Sequence, residues 1–144
     1  MIKLACRYRF CASHRLHSVH LDEERNQEIY GKCNNPYGHG HNYVVEIAVR
    51  GPVDAATGQV IGRAELDGLM KREVLDRFDH KNMNLDLEEF RGLVPTTENL
   101  AAVLDRRLRE AWGREHPGCA AQIEEIKIFE TPRNIVRVQS HENT

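Results

Sequence analysis

The chain has 144 residues, 40% of them hydrophobic and 29% charged, which suits one domain with a sizeable core. Lys and Arg number 20 against 22 Asp and Glu, and both signs are interspersed, which excludes a polycationic nucleic-acid or membrane-binding surface. No run approaches a membrane span, the opening MIKLACRYR is too charged for a secretory leader, and the cysteines (Cys6, Cys11, Cys33, Cys119) lack C-x-x-C spacing, so the expected setting is soluble and cytoplasmic with reduced thiols.

Residues 2 to 14 alternate: Ile2, Leu4, Cys6, Tyr8, Phe10, Ala12 and His14 share one face, and Lys3, Arg7, Arg9 and Ser13 the other. A long loop follows. Residues 42 to 50 alternate again, with Tyr43, Val45, Ile47 and Val49 on one face, and Gly51-Pro52 ends that strand. The period then becomes helical over 64–78, where Leu66, Leu69, Met70, Val74 and Phe78 form a stripe. Pro95-Thr96-Thr97-Glu98 reads as a capped helix start, and Leu100, Val103, Leu104, Leu108, Ala111 and Trp112 give that helix its buried face. His116-Pro117-Gly118 stops it. Two strands, 123–131 and 134–139, follow as a hairpin turning at Pro132-Arg133, and residues 141–144 are expected to fray. The expected fold is therefore α+β, a four-stranded antiparallel sheet with two helices on one face. Small or apolar residues on the opposite face (Ala5, Cys11, Val44, Ala48) favour burial in an oligomer.

Of eight histidines, His17, His20, His116 and His141 sit in polar loops or ends and are read as solvated. The phase of the strands gives His14, His39 and His41 a common direction. If the first two strands pair antiparallel, the end of one lies beside the start of the other, and three imidazoles converge at one edge of the core. Such a set suits Zn²⁺, and three protein ligands leave a fourth position for water or substrate. Gly38 and Gly40 permit close backbone approach there.

Cys33 is the candidate base, because a nearby cation favours the thiolate form of a cysteine, and Lys32 adjoins it. The same spacing also allows Cys33 to be a fourth metal ligand in a closed structural site. Asp79 beside His80, after the first helix, could orient an imidazole or be a charged surface loop. Glu130, at a strand end, could bind a cyclic amidine-like donor pair. No phosphate-binding loop, dinucleotide fingerprint or serine nucleophile elbow is present, so those chemistries are excluded.

Five stretches, FCASHRL (10–16), GKCNNPYGHGHNY (31–43), FDHKNMN (78–84), PTTENLA (95–101) and IFET (128–131), occur in an order and spacing that resemble the 6-pyruvoyltetrahydropterin synthase family, which includes the 6-carboxytetrahydropterin synthases of queuosine synthesis. The resemblance spans nearly the whole chain. It implies a tunnelling fold (two strands, two helices, two strands) whose sheets join into a trimeric barrel, with two trimers stacked as a homohexamer. It further implies zinc on His14, His39 and His41, Cys33 as proton acceptor, an Asp79–His80 pair, Glu130 anchoring a pterin, and Thr96 and Thr97 lining its pocket. The implied substrate is 7,8-dihydroneopterin triphosphate, converted by a zinc-dependent lyase to 6-pyruvoyltetrahydropterin. Alternatives are the 6-carboxytetrahydropterin synthase reaction and, from another class, a zinc-stabilised binding protein without catalysis. Two positions depart from the family pattern: Gly62-Arg63 replaces the usual cap of the first helix, and Tyr37 a usual Asn. The longer segment with Asn34-Asn35-Pro36 points to the pyruvoyl branch.

Overall fold

The computed structural model describes residues 1–139. The tail at 141–144, read as frayed, lies outside them. The elements run β1 (Ile2–His14), α1 (Glu23–Tyr30), β2 (His39–Gly51), α2 (Arg63–Met70), α3 (Asp76–Phe78), β3 (Lys81–Asn82), α4 (Met83–Asp86), α5 (Thr97–Glu115), β4 (Gln122–Phe129) and β5 (Ile135–Gln139). The sheet order is β3-β1-β2-β4-β5. It has five strands rather than the four expected. The fifth, β3, is two residues long and pairs parallel with the end of β1 at Ala12 and Ser13. All other pairings are antiparallel.

Period-2 alternation sorts the sheet into two faces. Phe10, Tyr43, Val45, Ile47, Val49, Ile126 and Ile128 are buried on the inner face. Against them pack Leu66, Leu69, Met70, Val74 and Phe78 of the first helical stretch and Leu100, Val103, Leu104 and Leu108 of α5. Burying each such side chain contributes roughly 1.5–3 kcal/mol, so this layer fixes where the strand ends stand. The outer face is an ionic lattice more than an apolar one: Arg7 and Lys127 flank Glu46 at 2.8 and 3.6 Å, and Arg137 meets Glu125 at 2.8 Å.

A helix, α1, occupies part of the expected long loop. It is polar on nearly every side, with only Asn26 buried, so no apolar period announces it. Its start is nonetheless readable: Asp22 accepts from the Arg25 amide at 2.8 Å, and Glu23 and Glu24 fill the first turn. Two histidines read as solvated are half-buried and make contacts. His17 accepts a hydrogen bond from Asn34 Nδ2 at 3.1 Å, and the His116 ring lies 4.6 Å from that of Trp112. Gly62 caps α2 without a side-chain bond. No helix among the described residues is long and apolar enough to cross a membrane.

Candidate active site

The antiparallel register sets His14 directly opposite His39. Both point to the inner face, as does His41 two residues further along β2. The ring centroids are 4.6 Å apart for His14 and His39, 4.7 Å for His39 and His41, and 5.1 Å for His14 and His41. One nitrogen from each lies within 4.8 Å of the others. Among the described residues Cys33 stands outside this group, leaving a three-nitrogen set.

Hydrogen bonding tests whether these rings fit a cation. His14 Nδ1 donates to the Pro95 carbonyl at 2.8 Å, which turns the lone pair of its Nε2 toward His39 Nε2, 3.1 Å away. His41 Nε2 is buried with no hydrogen-bond partner among the described residues. A buried, unpartnered ring nitrogen beside two others is costly unless a further group accepts their lone pairs, so the residues present fit a metal ion. Burial and neighbouring imidazoles hold His14 and His39 below the ordinary histidine pKa, which favours the neutral, ligating form. Tyr43 packs beneath, its hydroxyl 3.3 Å from His14 Nδ1.

Glu130 follows the last residue of β4 and comes within 3.9 Å of His41 Nε2. Thr97 Oγ1 donates to one carboxylate oxygen, and Asn134 Nδ2 donates to the other at 3.1 Å. Burial pushes the Glu130 carboxyl up, but these hydrogen bonds and the imidazoles at His41 and His14 outweigh it and hold the group ionised. Thr97 is buried in the first turn of α5. Thr96 differs: its hydroxyl accepts from the Asn99 amide at 3.1 Å as the helix cap. Cys33 sits in a one-turn 3₁₀ helix, Gly31–Asn34, and its carbonyl accepts from the Leu16 amide at 2.9 Å. Burial raises the pKa of the Tyr43 phenol, and Glu130 adds to the effect.

A family profile described as 6-pyruvoyl tetrahydropterin synthase matches residues 3–141. The 6-pyruvoyl tetrahydrobiopterin synthase of Poecilia reticulata is 46% identical over 127 residues, covering 88% of this chain and 82% of that protein. The solved structure of Caenorhabditis elegans 6-pyruvoyl tetrahydropterin synthase superimposes with a TM-score of 0.89 at 38% identity, covering 97% of this chain and 96% of that one. The 6-carboxy-5,6,7,8-tetrahydropterin synthase of Rickettsia conorii is more distant, 29% identical over 96% of this chain and 100% of its own length. The chain belongs to the 6-pyruvoyl tetrahydropterin synthase family.

This member of the family does not bring all its expected site residues together within one chain. Asp79 Oδ1 accepts from the Cys11 amide at 2.8 Å, and the His80 amide donates to the Cys11 carbonyl at 2.6 Å. His80 Nε2 is 3.5 Å from Asp79 Oδ2, and its side chain is 82% exposed. The pair borders a hollow with Cys11 and Asn42 of the outer face of β1 and β2, and His41 lines the same hollow. The rings of His14, His39 and His41 form the cluster on the inner face, and His80 is not a member of that group.

Sequence reasoning missed Asn34, which is 3% exposed. Its Nδ2 donates to the Leu16 carbonyl at 2.8 Å and to His17 Nδ1, while Arg15 Nε donates to the Asn34 carbonyl at 3.1 Å. Together with the Leu16–Cys33 bond, this locks the Cys33 turn to the chain leaving β1. Asn34→Asp removes the donor without changing shape, leaving a buried carbonyl unpaired. It should lower unfolding free energy by about 1–3 kcal/mol in denaturant titration and speed alkylation of Cys33. Unchanged stability would show that the clamp contributes nothing.

Proposed function

We propose that the protein is a zinc-dependent lyase that converts 7,8-dihydroneopterin triphosphate to 6-pyruvoyltetrahydropterin with release of triphosphate. The observation that carries this reading is the convergence of three histidine ring nitrogens, held within 4.8 Å of one another, beside an ionised Glu130 only 3.9 Å from His41. Sequence similarity to enzymes named for this reaction supports it. His14, His39 and His41 would hold the zinc, which supplies Lewis-acid polarisation of side-chain hydroxyls and acidifies the adjoining C–H. Glu130, braced by Thr97 and Asn134, accepts hydrogen bonds from the N–H pair of the pterin and so orients its side chain toward the histidines. Cys33 takes the side-chain proton as general base, which allows triphosphate to leave from the next carbon.

The second proton carrier, His80 with Asp79, lies on the outer sheet face, and we infer that it serves the site of a neighbouring copy in a homohexamer. Its exposure supports this assignment.

Incubating the zinc-loaded protein with 7,8-dihydroneopterin triphosphate and weighing the products tests the reading. A 6-pyruvoyl product with free triphosphate is the expected result. A 6-carboxy product would move the protein to the other branch, and no turnover with zinc bound would leave a binding protein.

A further inference from the structure

A hollow of about 610 Å³ lies next to the histidine cluster. Three of its wall segments run directly into that cluster. Arg15 follows His14, and Gly38 precedes His39. Val94 precedes Pro95, whose carbonyl accepts from His14 Nδ1. Gly38 is required where it stands: its φ is 72°, and a Cβ there would lie 2.9 Å from the His14 carbonyl oxygen. Three backbone segments therefore lead from the lining of the hollow into the cluster.

Its charge is one-sided. Arg15, His17, His20 and Arg91 line it, and no Asp or Glu does, in a chain whose acids outnumber its bases. The second hollow, around His80 and Lys81, includes Asp86. Arg15 is held from both sides of its backbone: its amide donates to Asn84 Oδ1 at 2.7 Å and its carbonyl accepts from Asn84 Nδ2 at 2.9 Å. Its Nε is used on Asn34, and among the described residues its guanidinium forms no ion pair. His17 accepts at Nδ1, leaving its Nε2–H as a donor in the neutral ring. Arg91 has only a 4.0 Å contact with Glu88, both side chains being well exposed, which is weak against solvent screening. Phe90 and Val94 supply apolar wall that lowers the local dielectric and strengthens pairing with an anion.

We propose that this hollow is a polyanion subsite that takes the phosphate chain of the substrate, with Arg15 and Arg91 as the guanidinium clamp and His17 and His20 as further N–H donors. The assignment rests on the proposed reaction for its ligand but not for its chemistry. Guanidinium groups bind phosphate oxygens in paired, charge-assisted hydrogen bonds. A short side chain held at the histidines would direct its phosphate end along these segments into the hollow.

Inorganic triphosphate is the probe, titrated calorimetrically into the zinc-loaded protein at two salt concentrations. The wild type should bind it, more weakly at high salt. Arg91→Ala and Arg15→Gln should each weaken binding about tenfold and raise KM for the pterin triphosphate by a similar factor. Arg63→Ala, on the exposed surface of α2, should change neither. No binding by the wild type, or wild-type affinity in both hollow variants, would overturn the subsite, as would loss of binding in Lys81→Ala alone. Triphosphate binding that depends on Arg15 and Arg91 in a protein without turnover would keep the subsite and reject the reaction. Turnover to the 6-pyruvoyl product with unaltered KM in both variants would do the reverse.

Discussion

Cys33→Ala should reduce turnover by about 10²- to 10⁴-fold, the range typical of losing a positioned general base, while the protein keeps its zinc. The geometry separates the thiol from the three histidines, since the three-nitrogen group that could hold a metal excludes Cys33. The 3₁₀ turn that carries it is held through backbone bonds, chiefly Leu16 amide to Cys33 carbonyl, which the substitution leaves in place. A folded, zinc-loaded and inactive variant is therefore expected, measured by metal content and product formation together. Metal loss in Cys33→Ala would make the thiol a fourth ligand and the site structural. Turnover within a fewfold of wild type would place the base elsewhere.

The second large effect is on stability. A ligand held only by the folded chain stabilises it by RT ln(1 + [L]/Kd), about 4 kcal/mol at a thousand times Kd. At roughly 2–4 °C per kcal/mol for a chain near this size, chelation should lower Tm by roughly 10 °C. The physical reason lies in the rings: without a cation, His41 Nε2 is buried and unpartnered, and His14 and His39 face each other at 3.1 Å with only one proton able to lie between their nitrogens. His39→Ala should erase the difference between zinc-loaded and chelated protein in a thermal melt. A melt that chelator does not move would mean that the cluster holds no metal.

Strand phase carried most of what was legible. Alternation through residues 2–14 and 43–49 places the side chains that are buried on the inner face, and the same phase sets His14, His39 and His41 in one direction. Longer-range features left no local mark. β3 is two residues pairing with β1, too short to show a period, yet it decides that His80 borders the outer face. The first helix was readable as one unit, but its middle winds as a π turn, Lys71–Leu75, where Arg107 Nε reaches the Glu73 carbonyl at 3.2 Å. That contact joins residues far apart in sequence. Asn34 escaped for the same reason: one polar residue in a polar loop gives no sign that its partners, Leu16 and His17, stand nearby.

The register of β1 against β2 has a consequence for how the protein matures. Because side chains alternate across a sheet, a one-residue slip in that pairing would set His14 opposite Gly40, not His39, and would turn the inner-facing residues of one strand to the wrong side. Such a misaligned hairpin could still be compact, but it would offer no three-imidazole nest. Metal uptake would then act as a checkpoint on strand alignment, so zinc per chain in a fresh preparation would count correctly paired molecules.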